Sequence, residues 1–327
     1  MTMLPSTQRQ QGVALLTAVM VVALASTLVA GLMVTQNLSI HRAANMRSID
    51  AAWWYLVGLE EWAGTILRRD AEANQVDNLN EPWAQTIDFL PVDEGVLSGQ
   101  LVDLNGRFNL NSLGKPLNQN PNQAPGTPAP AEEMEIFNRL LQAIPELRNQ
   151  PIADLGSKIA DWVDADANPR FPGGAEDETY MGMTPPRRAA NQLLTSVTEL
   201  RAIAGVTPEI YAALLPHVAV LPTTNLSINV NTATPAVLQS LAAGVSPAEI
   251  EGLLVQRQNQ PWEDAQAFSA EPAFAGRALA SGLSVTSEWF EARGTADIDG
   301  VRLELVSRIQ RGSDNKARVV ARSRAPL

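Results

Sequence analysis

The chain has 327 residues, 45% hydrophobic and 18% charged, a globular composition that fits one large domain or two smaller ones. Its 24 basic against 35 acidic residues give a net charge of −11, a surface field that repels polyanions and disfavours nucleic acid as a partner. Cysteine is absent and histidine occurs at His41 and His217 alone. Disulfides, thiolate nucleophiles and Cys- or His-rich metal centres are thereby excluded, which leaves carboxylates, hydroxyls and backbone, with a hard cation as the first ligand to look for.

From Val13 to Val34 the chain runs 22 residues without a charged side chain. As a helix this segment covers about 33 Å, enough to cross a hydrocarbon core of roughly 30 Å. Three readings stand: a cleaved secretory signal, for which Ala23-Leu24-Ala25 supplies the small-residue exit; a plain signal anchor; and a processed leader, because Gln8-Arg9-Gln10-Gln11-Gly12 sets a short polar stretch and a glycine directly against the first apolar residue. No proline occurs between Pro5 and Pro82, so the helix is free to continue beyond the membrane. The spacing predicts one helix from Val13 to Arg69, about 85 Å long. Its apolar stripe is Met46, Ile49, Trp53, Leu56, Leu59, Ala63 and Ile66, with Arg47, Asp50, Glu60 and Glu61 off that face, and a soluble domain is expected to pack on the stripe.

After a loop containing Pro82 and Pro91, Val96 to Leu113 reads as two short strands, with Asn105-Gly106 as their hairpin turn. A Pro/Asn/Gln-rich stretch from Lys115 to Ala131 then opens a helical region that lasts to about residue 285.

The sharpest chemical feature of that region is DWVDADANPRFPGGAEDETY, Asp161 to Tyr180. Asp161, Asp164, Asp166, Glu176, Asp177 and Glu178 are opposed by Arg170 alone, for a local charge of −5. Asp161 and Asp164 lie one helical turn apart, and Asp164, Asp166 and Asn168 alternate as the chain bends toward Pro169, so several oxygens can converge as calcium requires. The spacing is not that of an EF-hand. An irregular calcium site, with carbonyls from the Gly173-Gly174 turn, and a solvated acidic loop both fit these residues; Trp162 and Tyr180 read as packing residues beside it. Paired acids also run glycoside hydrolysis, but the chain is only 5% aromatic and has no G-x-S-x-G, H-E-x-x-H or phosphate loop, which argues against an enzyme.

Further on, Gly205-Val206-Thr207-Pro208 and Gly244-Val245-Ser246-Pro247 form an internal repeat. In each, glycine ends one element, Thr or Ser caps the next helix and proline takes its first turn; Ser246 with Glu249 and Ser196 with Glu199 form capping boxes. Ile228 to Arg257 resembles helix-hairpin-helix DNA-binding modules. However, Thr207 and Ser246 replace the second hairpin glycine, and Ala189 to Val285 carries three basic against seven acidic residues, so a packing scaffold is the better reading. The chain closes with three β-rich runs, Leu283 to Ala296, Val301 to Arg311 and Ala317 to Arg324, separated by turn signals at Asp299-Gly300 and Gly312 to Asn315: an antiparallel meander. The fold class is α+β: a long N-terminal transmembrane helix continues into an antiparallel sheet domain (35–114 and 286–327), into which a large all-helical domain (115–285) is inserted.

The polar leader, its glycine and the long helix resemble the type IV pilin and pseudopilin family. The resemblance implies that residues 1–12 are a leader, that prepilin peptidase cuts between Gly12 and Val13 and methylates the new amino terminus, and that 13–34 span the membrane. The family has glutamate at the fifth mature position, where this chain has Thr17. In the family that carboxylate neutralises a neighbouring subunit's amine within the membrane, where an unpaired charge costs ~2.5 kcal/mol or more. Its loss suits a subunit with nothing above it, a filament tip; alternatively Thr17 is tolerated because its hydroxyl can bond to the helix backbone. The plan, FNLNSL (Phe108 to Leu113) and the D-W-x-D-x-D segment followed by G-A-E-D and a tyrosine resemble the K-type minor pseudopilins of type II secretion.

That resemblance implies calcium held by Asp161, Asp164, Asp166, Glu176, Asp177 and Glu178. It also implies a subunit anchored by a single span in the bacterial inner membrane, with its C-terminal domain in the periplasm, that caps the pseudopilus and helps initiate its assembly. Its partners would be other minor pseudopilins in a tip complex, the major pseudopilin, prepilin peptidase, the inner-membrane secretion platform, and secreted cargo or the outer-membrane secretin, without nucleic acid. A membrane-anchored DNA-uptake protein using the hairpin repeats is the alternative, and a calcium-dependent periplasmic hydrolase the third reading.

Overall fold

The computed structural model describes residues 8–115, 132–312 and 314–324. Its helices are α1 (Gln8–Ala73), α2 (Glu132–Ala143), α3 (Leu155–Val163), α4 (Asp177–Met181), α5 (Pro208–Leu214), α6 (Pro235–Ser240), α7 (Pro247–Asn259) and α8 (Ala265–Ser269). Its strands are β1 (Ile87–Val92), β2 (Gly95–Asp103), β3 (Phe108–Asn109), β4 (Val218–Ala219), β5 (Ile228–Asn229), β6 (Leu283–Ser284), β7 (Trp289–Ile298), β8 (Val301–Arg311) and β9 (Ala317–Ser323).

Helix α1 is continuous for 66 residues. Every position from Val13 to Arg47 is exposed, and burial begins at Ser48. The apolar first part has a mean hydropathy of 2.5 over its best window, so this helix is long and apolar enough to cross a membrane. From Ser48 onward α1 lies across an antiparallel five-stranded sheet of order β1-β2-β7-β8-β9. Ala52, Leu56, Ala63 and Leu67 are its buried contacts, with Trp53, Leu59 and Ile66 partly covered. The predicted stripe therefore needs two corrections.

Met46 stays exposed because the sheet ends beneath it, the β7–β8 turn reaching only to Ser48, whose hydroxyl lies 3.4 Å from Asp299; Ile49 lies along the sheet but off the face that Ser48, Ala52 and Leu56 bury. Glu60, placed off the face by its charge, is instead 3% exposed and points at the sheet. It is accommodated there because Arg322 donates to it at 2.7 and 2.9 Å and the Ser307 hydroxyl at 2.5 Å. A bulge in the β8–β9 pairing after Arg308 sets Arg322 opposite Ser307, which brings both donors to one carboxylate.

The C-terminal meander is present as β7, β8 and β9, neighbours in the sheet. Its turns place Asp299, Gly300 and Asn315 at positive φ, the conformation that Asp-Gly and Asn tolerate. Leu283-Ser284 is a separate strand, paired in parallel with β5. The Asn105-Gly106 hairpin does not form. β2 turns back on β1 through Asp93-Glu94 instead, and Asn105-Gly106 carries the chain out of the sheet. Asn105 accepts from the amides of Glu288 and Trp289, and a Cβ on Gly106 would come within 2.7 Å of the Thr232 hydroxyl, so glycine serves a close approach here and not a hairpin.

FNLNSL also sits differently from the expectation. Phe108, Leu110 and Leu113 belong to the core of the helical part, packed with Phe137, Leu140 and Ile159, and not to the sheet domain. The intervening asparagines act as internal backbone. Asn109 bonds Thr223 O at 2.7 Å and accepts from Leu221 N, while Asn111 bonds Leu194 O and Leu221 O and accepts from Leu194 N. The segment Ile228-Asn229-Val230-Asn231 repeats the device: Asn231 donates to Trp262 O and accepts from Trp262 N, both at 2.9 Å. Buried loops that cannot pair with each other are thereby satisfied by side-chain amides. The caps form as their spacing predicts, with Thr207 on α5, Ser246 and Glu249 in a capping box on α7, and Ser196 and Glu199 in another; Gly205 and Gly244 have φ of +86° and +75°.

The Glu60 pair gives a direct test of the α1–sheet contact. Arg322→Ala leaves a buried carboxylate without its cation and is expected to cost about 3 kcal/mol in urea unfolding of the detergent-solubilised chain. The double variant Glu60→Leu/Arg322→Ala removes both charges and is expected to recover most of that loss.

Candidate functional site: an acidic loop around a buried carboxylate

Helix α3 buries Leu155, Ile159, Ala160, Trp162 and Val163, and with them Asp161, which is fully inaccessible. The helix stops at Asp164, which is extended at ψ 167°, and the chain loops out through Asp166-Ala167-Asn168-Pro169. Asp166 steadies this turn by accepting from the backbone and side-chain nitrogens of Asn168 at 2.8 and 3.0 Å. The loop returns at Arg170. Its amide donates to Asp161 at 3.1 Å and that of Ala175 donates to the same carboxylate at 2.7 Å, so Asp161 holds both ends of the loop. Gly174 is required in between, because a Cβ there would lie 2.2 Å from the Asp161 carboxylate. The Arg170 guanidinium donates to Asp164 at 2.9 and 3.1 Å and to Lys115 O at 3.1 Å.

Glu176, just before α4, closes the site. It is 5% exposed, and neither of its oxygens has a well-formed hydrogen bond. Asp164 Oδ1 and Asn191 Oδ1 are also buried acceptors without a partner. Burial pushes the Glu176 carboxyl up to about 7, with Asp161, Asp164 and Asp166 adding repulsion and Asn191 offsetting it weakly. Asp161 is raised to about 6 by burial, against the two backbone donors, and Asp164 is raised by the same cause against Arg170. Trp162 and Tyr180 pack edge to face at 5.0 Å beside the loop, and the Tyr180 hydroxyl accepts from Ala204 N.

Of the six carboxylates picked out from the sequence, Asp161, Asp164, Asp166 and Glu176 share one electrostatic environment. Asp177 turns away, accepting from Ala189 N at 3.0 Å and facing Arg188 at 3.7 Å, and Glu178 is exposed. Sequence reasoning missed Asn191. It sits at φ +46° and donates to Asp166 O at 2.8 Å, while its own oxygen is left for another partner. The asparagine lies 13 positions beyond Glu178, the last of the acidic run, and nothing in its local spacing marks it. At the other end of the molecule Gly12 and Val13 lie within the unbroken α1, and the Thr17 hydroxyl donates to Val13 O and Ala14 O at 3.1 and 3.0 Å.

A long N-terminal helix laid across an antiparallel sheet, with a helical insert bearing an acidic loop, defines a membrane-anchored subunit of the pilin-like class. Family models described as "Type II secretion system (T2SS), protein K" match residues 106–223 and 228–286. The type II secretion system protein K of Aeromonas hydrophila is 33% identical over 323 residues, covering 96% of each chain. That of Pseudomonas aeruginosa is 33% identical over 321 residues, covering 96% of this chain and 92% of its own. The crystal structure of the GspK–GspI–GspJ complex from enterotoxigenic Escherichia coli contains a chain that superposes with a TM-score of 0.74 at 26% identity, covering 86% of this chain and 98% of that one. The chain belongs to the type II secretion system protein K family, and its role is that of a minor pseudopilin.

Two substitutions separate the carboxylates that bind the loop from the one left unpaired. Glu176→Gln removes a buried carboxylate with no cationic partner, so the thermal midpoint measured in chelator at pH 8, where the group is ionised, is expected to rise. Asp161→Asn puts an amide where two backbone N–H groups need an acceptor, and is expected to lower stability by about 1–3 kcal/mol in the same assay.

Proposed function

We propose that this minor pseudopilin caps the periplasmic pseudopilus and helps initiate its assembly, by a structural and not an enzymatic mechanism. The observation that carries the reading is where the insert attaches. It leaves the sheet after Asp103 and returns at Trp289, the end of the sheet next to the C-terminus of α1, where Arg311 pairs with Asp70 and Asp77. The opposite end, at Glu94 and Asp299, faces Arg47 and Ser48, nearer the membrane. The insert therefore occupies the membrane-distal end of the long axis, the place a further subunit would have to take. Thr17 offers no carboxylate to a neighbour's amine, which suits a tip, while its hydroxyl bonds to its own helix as expected of a threonine merely tolerated there, so the attachment of the insert carries the reading.

The partners that fit are other minor pseudopilins, as in the GspK–GspI–GspJ complex of the solved relative, with α1 anchored by one span and the rest in the periplasm. The hairpin repeats favour a scaffold over a DNA receptor. The amides of Ile210 and Glu249 are taken by the Thr207 and Ser246 caps, and no second glycine frees them for a phosphate.

Calcium suits the acidic loop, because Glu176, Asp164 and Asn191 each carry a buried acceptor without a hydrogen bond, Asp166 adds negative charge nearby, and oxygen donors are what the ion takes. Those four residues would hold it, with Asp161 holding the loop that presents them. When bound, the ion supplies positive charge that removes the repulsion among these groups.

Calcium at a hundredfold excess over its dissociation constant is expected to stabilise the full chain in detergent by about 2.7 kcal/mol relative to chelator, and Asp164→Asn to reduce that gain; an unchanged midpoint would count against the site. Deleting the insert is expected to leave membrane insertion intact and abolish secretion. Sequencing the mature amino terminus tests the anchor: N-methylated Val13 is the expected result, whereas a start at Ser26 or an intact leader would overturn it.

A further inference from the structure

A second group of carboxylates lies where α1, the sheet and the insert meet. One oxygen from each of Asp70, Asp77 and Glu81 falls within 4.8 Å of the others. Asp77 and Glu81 are 2% and 8% exposed, and the Asp70 side chain 7%. Arg311 of β8 is the cation that reaches them. It donates to Asp70 at 3.2 Å, to Asp77, and to Ser287 O at 2.7 Å, with its guanidinium 5.0 Å from the Phe290 ring. Glu81 is held by Trp83 Nε1 at 2.6 Å and by Asn78 N and Asn74 Nδ2 at 3.0 Å each.

From β2, Asp103 adds a fourth buried carboxylate, bonded by Thr232, Ser287, Asn229 and Asn105; Glu288 lines the adjoining pocket with Arg311. Four acidic groups and one guanidinium leave this junction negative if all are ionised. Burial and the nearby Glu81 and Asp77 carboxylates favour the protonated form of Asp70, which relieves that charge.

The segment that carries Asp77 and Glu81 also fastens the insert. Asp77 N donates to Val285 O at 2.8 Å, Asp77 Oδ2 accepts from Ser287 N at 2.7 Å, Asp77 O accepts from Asn229 at 3.1 Å, and Asn80 donates to Gln258 O at 2.9 Å. We propose that this junction is a proton-operated latch: with a proton on Asp70 the insert is seated on the sheet, and loss of that proton, which adds a charge to the buried Asp70–Asp77–Glu81 cluster, loosens residues 74–85 and with them the seating of the insert.

The sign follows from linkage. Burial, then Glu81 and Asp77, raise Asp70 to about 7 against the pull of Arg311, and burial raises Asp103 to about 6. A carboxyl raised in the folded state contributes stability that is complete below its unfolded value near 3.8 and is lost as pH rises through about 7. The latch therefore tightens on the acid side and loosens on the alkaline side.

Hydrogen exchange on the full chain in detergent, with saturating calcium to hold the acidic loop constant, tests this. Corrected for intrinsic rates, the amides of Asp77, Asn78 and Ser287 are expected to open about tenfold more often at pH 8 than at pH 6. Asp70→Asn fixes the neutral form and is expected to cut the tenfold difference to about twofold, the part left to Asp103. Glu81→Gln, which removes one source of repulsion, is expected to move the transition to lower pH. Wild-type protection that is the same at pH 6 and 8 overturns the proposal even if neither variant folds, and so does an Asp70→Asn protein that keeps the wild-type pH dependence.

Discussion

An uninterrupted backbone ladder from Gln8 to Ala73 is the constraint around which this molecule is arranged. A helix of that length cannot fold back on itself, so its apolar first part lies along one axis with its amphipathic second part, and the soluble region can cover only the latter. The sheet provides that cover through Ala52, Leu56, Ala63 and Leu67, and its two ends are thereby defined relative to the membrane. The alignment places the end of the sheet at Asp103 and Trp289 far from the apolar first part of α1.

The insert is held to that frame by a small apolar cluster, Leu104 and Trp289 of the sheet end against Ala219 and Leu221, and by a larger polar network. Asp103, Asn229, Thr232, Ser287, Asp77 and Arg311 form a continuous buried network between β2, the end of α1 and the helical part. Buried polar networks are demanding, since each unsatisfied group costs its desolvation, and they specify one geometry when complete. The acidic loop contrasts with this. There Asp161 is fully used in holding the loop, while Glu176 and the outer oxygens of Asp164 and Asn191 lack partners. One network is closed on protein atoms, whereas the other keeps buried acceptors without a partner.

Much of the local structure was legible in the residues. Caps at Thr207, Ser246 and Ser196 depend on short-range chemistry, and the turns at Asp299-Gly300 and Asn315 on backbone preference, so each could be read where it stood. The acidic loop was legible as composition, because six carboxylates in a short run are conspicuous. Its inner arrangement was not. Asn191 enters from a distant loop, and the different duties of Asp161 and Glu176 come from which backbone amides happen to face each one. Glu60 failed for a related reason: a charge reads as solvent-facing until its donors are known, and Arg322 lies 262 positions away.

From residue order alone followed the features that short-range physics controls: the membrane-length helix, the caps and turns, the helical insert between sheet segments, and the family to which these motifs point. What folding added was every assignment that depends on long-range pairing. Asn105-Gly106 has the local signature of a hairpin, yet β2 pairs with β1 and β7 and the dipeptide becomes an exit from the sheet. FNLNSL belongs to the insert because its asparagines find loop backbone around residues 194 and 221–225. Local preferences amount to fractions of a kcal/mol per residue, whereas completing or abandoning a buried hydrogen bond is worth about 1–3 kcal/mol, so the distant partner decides wherever the two disagree.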